Sequence, residues 1–271
     1  MNDFLEITIL GCGASGGVPK SDGDWGRCDP LEPRNRRSRC SIAVRRKSTE
    51  HTDNATTLAV DLSPEFRQQA VAADLRRIDA VLFSHDHADQ THGIDDIRAF
   101  AYRTKRRISC WADLATLESL TARFSYVFKG VNDYPAIADL NPCPPYGEGF
   151  DIHGPSGSIP VMGFEMDHGY VRATGFRFGD VAYASDVVGL PDASKALLAD
   201  LDVFIVDALR YAPHPSHAHL DLALEWISEL KPRRAVLTNL HTDMDYQTLV
   251  RTLPRGVEPA YDGMTIQSPL P

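Results

Sequence analysis

Short runs of aliphatic, β-branched and aromatic residues recur along the chain, each bounded by polar or turn-forming residues, and each predicts a buried strand. They fall at residues 6–10, 41–44, 57–60, 80–83 and 109–112 and, after a middle stretch, at 159–165, 175–178, 181–184, 203–206 and 235–238. Helical periodicity is rarer and predicts helices over 64–73, 114–124, 192–199 and 220–230. The last is the clearest, because Leu222, Ala223, Trp226 and Leu230 repeat on one face. Strands gathered in two halves, each followed by helices, predict an α/β fold: an αββα sandwich of two mixed sheets flanked by helices, with residues 1–271 as one domain. Between the halves, 130–157 is rich in Pro and Gly and predicts an irregular excursion. The polar stretch 45–54 predicts a hairpin tip in solvent.

Composition narrows the class without changing this picture. An apolar fraction of 43% and a charged fraction of 24% are those of an ordinary globular protein. The formal charge of −9 argues against a general electrostatic grip on nucleic acid. Five cysteines without a Cys-x-x-Cys pair suit reduced thiols better than a disulfide framework. The first ten residues carry two acids where a signal peptide carries basic residues, and no run is long and apolar enough to span a membrane. The expectation is a cytoplasmic protein with no membrane partner.

Chemistry enters with Ser84-His85-Asp86-His87-Ala88-Asp89-Gln90-Thr91-His92-Gly93, which directly follows the apolar run 80–83. Imidazole and carboxylate together are the ligand set of Zn²⁺, Mn²⁺ or Fe²⁺. The loop leaving the C-terminal end of a strand is where open α/β sheets keep their sites. Three other strand ends present similar groups: Asp167-His168-Gly169, Ser185-Asp186 and Asn239-Leu240-His241. His217 and His219 precede the helix from Leu220, where a positive helix end disfavours the cationic form of His219. A capping role for both is the alternative. The glycine-rich loop 11–19, with Gly16 and Gly17, could cradle phosphate with its amides or simply make a tight turn.

The order His85-x-His87-x-Asp89, His168, Asp186 and a C-terminal His resembles the metallo-β-lactamase superfamily of hydrolases. Leu10-Gly11-Cys12-Gly13, Gly17-Val18-Pro19, Arg39-Cys40-Ser41, His219-Leu220-Asp221-Leu222 and Tyr261-Asp262-Gly263-Met264 look like the branch that cleaves cyclic ribose phosphates in phosphonate breakdown. That branch is related to tRNA 3′-processing nucleases. The resemblance implies His85, His87 and His168 as ligands of a first metal, Asp186 as a bridging carboxylate, and Asp89 as a ligand of a second metal. One or two divalent ions, Zn²⁺ or Mn²⁺, would then generate a hydroxide that attacks phosphorus. His219 matches the proposed general acid; His217, Gly16 and Gly17 are candidates for binding substrate.

Three departures qualify the likeness. Gln90 and Asn239 stand where the family has histidines, so the second site should shift toward Mn²⁺ or Mg²⁺ or be partly empty. His241 would compensate if its strand continued that far, because it would share a face with Asn239. His92 is a weaker candidate for supporting the site. Only Cys28 remains where the branch carries a cysteine-rich structural zinc site. The arginines 34, 36, 37 and 39 beside it suit either a phosphate or a solvated basic face.

The expected function is a metal-dependent phosphodiesterase acting on a small nucleotide-like or cyclic ribose phosphate. A thioester or lactam hydrolase on the same scaffold is one rival. A catalytically weak nucleotide-binding or carrier protein is another, kept open by Gln90 and Asn239. A tRNA nuclease is disfavoured by the negative charge and the lack of an inserted basic arm. The resemblance also favours a homodimer.

Overall fold

Alternate residues of the central strands face two different apolar layers, which is why those strands read as unbroken hydrophobic runs. The computed structural model describes residues 3–48 and 55–270. In chain order its strands are β1 (Asp3–Gly11), β2 (Ser41–Ser48), β3 (Thr56–Val60), β4 (Ala80–Leu82), β5 (Ile108–Ala112), β6 (Ala138–Pro142) and β7 (Gly149–Gly154). They continue as β8 (Gly157–His168), β9 (Val171–Phe178), β10 (Val181–Ala184), β11 (Val203–Asp207), β12 (Arg234–Thr238), β13 (Val257–Pro259) and β14 (Thr265–Pro269). The α-helices are α1 (Phe66–Ala72), α2 (Ala88–Thr91), α3 (Arg98–Thr104), α4 (Leu114–Arg123), α5 (Ser125–Lys129), α6 (Asp192–Leu197), α7 (Leu220–Leu230) and α8 (Tyr246–Thr252).

Among the described residues these strands form two seven-stranded sheets, ordered β14-β1-β2-β3-β4-β5-β6 and β13-β12-β11-β10-β9-β8-β7. The first pairs antiparallel from β14 to β3 and parallel from β3 to β6. The second repeats that plan, antiparallel from β7 to β10 and parallel from β10 to β13. Ile42, Val44, Leu58, Val60 and Leu82 meet Phe176, Tyr183, Ile205 and Val236 between the sheets. The intervening residues point outward: Ala59, Val81 and Phe83 pack with Phe66, Phe100 and Leu120 of the first helical layer. Phe204, Val206 and Leu237 pack with Ala223, Trp226 and Leu249 of the second. The αββα expectation therefore holds.

Two sequence expectations change. The Gly- and Pro-rich stretch 130–157 is the crossover between sheets, yet it contributes β6 and β7, the edge strand of each. Edge strands tolerate proline and need only one bonded neighbour, so their sequence signal is weak. The predicted hairpin tip is also shorter than expected: β2 runs on to Ser48, with Arg46 opposite Thr56. Arg46 is pinned by Ser158 O at 2.6 Å and by Asp3 rather than projecting into solvent. Residues 49–54 of that expectation lie outside the described ones. No helix among the described residues is long and apolar enough to cross a membrane.

Candidate metal centre

Polar side chains collect where the strands end. β3 is followed by Asp61, β4 by Ser84 and His85, and β10 by Ser185 and Asp186; β8 ends on His168, β11 ends on Asp207, and Asn239 follows β12. Asp61, Asp186 and Asn239 take left-handed backbone angles, with φ of 60°, 55° and 60°. Asp and Asn tolerate that conformation better than other side-chain-bearing residues. Each breaks its strand abruptly at the edge of the site.

His85, His87 and His168 each offer a ligand atom, and these atoms lie within 4.8 Å of one another. A second group, His168, Asp186 and His217, meets the same criterion and shares His168 with the first. His85, His168 and Asp186 are buried, whereas His87 is exposed and opens the group to solvent. Their orientation is built from behind. Asp61 accepts the Ser84 N–H and hydroxyl, both at 2.8 Å, and the Ser84 oxygen lies 3.0 Å from His85 Nδ1. The Ser84 proton being directed at Asp61, the serine accepts Nδ1–H from His85 and leaves Nε2 as a lone pair. That Nε2 is buried and has no hydrogen-bond partner. His168 is set the same way, with Nδ1 2.7 Å from Ser216 O and Nε2 3.4 Å from His87 Nδ1.

Electrostatics favour ligands over cations. Burial, reinforced by the neighbouring histidines, holds His85 well below the ordinary imidazole range. Burial and His217 bring His168 down to about 4. Neutral imidazoles with a free nitrogen are what a divalent metal binds. Burial and the neighbouring Asp89 raise Asp186 to about 7, a cost that a cation would relieve. The partnerless buried Nε2, the set tautomers and the mixed imidazole and carboxylate donors together fit a divalent metal.

His217 belongs to one of these ligand groups and His219 to neither. His217 Nδ1 is 2.9 Å from Asp207 Oδ2, 3.0 Å from Asn239 Nδ2 and 4.0 Å from Asp186 Oδ1. Burial lowers the His217 pKa, but the hydrogen bond and charge of Asp207 outweigh it, so the net shift is upward. His219 instead occupies the N-cap of α7 and belongs to neither group. His241 is also outside both groups: β12 stops at Thr238, Asn239 turns the chain, and His241 Nδ1 sits 3.7 Å from Asp243. The continuation on which its expected ligand role depended does not occur. His92 is exposed and packs edge-on against Phe124 at 5.7 Å.

Asp89 lies beside the centre rather than within either group, 3.4 Å from the Gln90 amide nitrogen. Gly16 and Gly17 line a cleft of about 440 Å³ with Arg36, Arg39 and Glu65, none of which belongs to either group. Close packing accounts for the start of the glycine loop, since a Cβ at Gly11 would stand 2.1 Å from Arg39 O. Three of the four arginines beside it are spent on internal contacts, and the exposed Arg36 lies over the Trp25 ring at 5.1 Å. Arg37 is buried and donates to Met244 O at 2.7 Å, Arg34 pairs with Glu32, and Arg39 pairs with Glu65. Sequence reasoning missed Asp61 and Asp207, whose only signal is an acid directly after a hydrophobic run.

Comparison with known proteins agrees with this fold. A family profile described as beta-lactamase superfamily domain matches residues 56–239. The crystal structure of a new diphosphatase from the PhnP family is similar with a TM-score of 0.85 and 30% identity, covering 98% of each chain. Human tRNase Z, short form, shares the fold with a TM-score of 0.65 at 15% identity, over 96% of this chain and 98% of that one. A curated octanoyltransferase from Porphyromonas gingivalis is 29% identical over 262 residues, or 96% of this chain. The chain spans about half the length of that relative, 51% of it. The two-sheet architecture is the metallo-β-lactamase fold, and the profile match establishes that the chain belongs to the beta-lactamase superfamily domain family.

Proposed function

We propose that the chain is a divalent-metal-dependent hydrolase of a small, nucleotide-like phosphorylated substrate, cleaving a phosphodiester or phosphoanhydride bond. The observation that carries this reading is the pair of ligand groups joined through His168, with the Asp207-held His217 in one of them. The likeness to a PhnP-family diphosphatase supports the phosphate class of substrate. His85, His87, His168 and Asp186 would hold the cation, which when bound supplies Lewis acidity toward phosphoryl oxygen and activates water. Asp61 and Ser84 fix the ring of His85, while the Ser216 carbonyl fixes that of His168. Asp207 holds His217 by Nδ1 and favours its protonated form, leaving Nε2 to deliver a proton to the departing oxygen.

The test is turnover of bis(p-nitrophenyl) phosphate, a cyclic ribose phosphate, a nucleoside diphosphate derivative and an octanoyl thioester, with Zn²⁺ or Mn²⁺ added to chelator-stripped protein. Metal-dependent release of phosphate products supports the proposal. Cleavage of the thioester alone moves the reading to acyl chemistry, the class named for the longer relative. No cleavage of any of them with metal bound leaves a binding protein and overturns it.

A further inference from the structure

Asp186 and Asp89 turn carboxylates toward a common point, and the group between them is a neutral amide. Gln90 is fully buried; its Nε2 donates to Asp186 Oδ2 at 3.1 Å and stands 3.4 Å from Asp89 Oδ2. A primary amide carries two N–H donors, and here each has a carboxylate oxygen to meet. The reverse orientation would set Oε1 against two acceptors, so the carboxylates themselves fix which way the amide faces. Oε1 is left buried and without a partner, consistent with the nitrogen being the end the site needs. An amide nitrogen with its hydrogens directed at carboxylates has no lone pair to offer a metal. A second cation beside Asp89 would compete with Gln90 for Asp89 Oδ2 and Asp186 Oδ2.

The neighbouring nitrogen is committed in the same way. His217 Nδ1 is taken by Asp207, with the Asn239 amide 3.0 Å from it. His85 Nε2, by contrast, is buried and has no partner. Beside Asp89, the Gln90 Nε2 hydrogens and His217 Nδ1 are therefore committed to carboxylates, and a second cation there would have to displace the Gln90 bonds.

We infer that the centre takes a single divalent cation, held on the His85, His87, His168 and Asp186 side, and that the Gln90 amide fills the place of a second, tying Asp89 to Asp186. This rests on the reading of the site as a metal centre. Gln90 acts here as a positioning residue: it supplies hydrogen bonds where a cation would supply charge. Replacing it by glutamate puts a third carboxylate in the same space, and the arrangement then requires a cation to hold it together.

The experiment is metal stoichiometry by elemental analysis and titration calorimetry with Zn²⁺ and with Mn²⁺, on chelator-stripped parent, Gln90→Glu and Gln90→Leu, each checked for folding by circular dichroism. The parent is expected to bind about one equivalent per chain and Gln90→Glu about two. Gln90→Leu should keep one equivalent with affinity weakened about 10- to 100-fold, as for loss of a group that orients a ligand. Two equivalents in the parent overturn the inference and leave the hydrolase reading standing. One equivalent in a folded Gln90→Glu protein overturns the assignment of that place to Gln90. No bound cation in the parent overturns the metal centre itself. If the glutamate variant does not fold, the parent's stoichiometry still decides between one and two.

Discussion

His217 is the side chain on which the proposed proton transfer turns, because Asp207 fixes its Nδ1 and Asp186 lies 4.0 Å away. His219, two positions on, occupies the N-cap position of α7 without a side-chain capping bond. His217→Ala should lower phosphate-ester turnover by about 10²- to 10⁴-fold with metal stoichiometry unchanged. His219→Ala should stay within about threefold of the parent. Parallel kcat measurements on the two variants decide the assignment; equal losses would refute it. Both histidines stand in polar sequence before the same helix, so nothing in their local pattern says which one meets a buried acid from β11. His85, His168 and Asp186 were legible because each follows a hydrophobic run. Asp61 and Asp207 do so too, but an acid after a strand is also the commonest kind of turn residue. Gln90 was legible as a departure from the family pattern. What its amide spans depends on two carboxylates, one of them almost a hundred residues further along the chain, which no local pattern encodes.

At the scale of elements, the site depends on strands that stop abruptly. Asp61, Asp186 and Asn239 each leave a strand of the parallel half of a sheet at positive φ, so the following chain turns at once instead of continuing the ladder. Asn239→Gly should be tolerated, since glycine accepts φ of 60° without strain. Asn239→Val should cost about 1–3 kcal/mol, read as a lower urea midpoint at unchanged slope. Equal midpoints for the two variants would mean that the backbone there is unstrained. The central strands were legible because both of their faces are apolar. The edge strands β6, β7, β13 and β14 were not, because an edge strand is specified as much by its neighbour as by its own residues. The same holds for α2, a single turn of helix carrying Asp89 and Gln90, too short for any periodicity to declare itself.

For the molecule as a whole, the candidate metal centre draws its proposed ligands from both sheets: His85 and His87 follow β4 of the first, whereas His168 and Asp186 come from β8 and β10 of the second. A cation bound by both should stabilise the folded state against unfolding of either. At a free metal concentration 100 times its Kd the gain is about 2.7 kcal/mol. Thermal melts should therefore rise on adding Zn²⁺ or Mn²⁺ to stripped protein and fall back with chelator, and a melt indifferent to metal would count against the shared centre. The strand order carries one more consequence. β14 (Thr265–Pro269) lies against β1 at the border of the first sheet, opposite in the chain to everything else in that sheet. While the protein is being made, the ribosome releases β1 to β6 long before their last neighbour. The nascent chain therefore waits with the backbone amides and carbonyls of β1 open on one side until residue 269 has emerged. An open strand edge invites pairing with other chains, so the β1 edge stays exposed to misassembly from its own emergence until β14 has followed and paired with it.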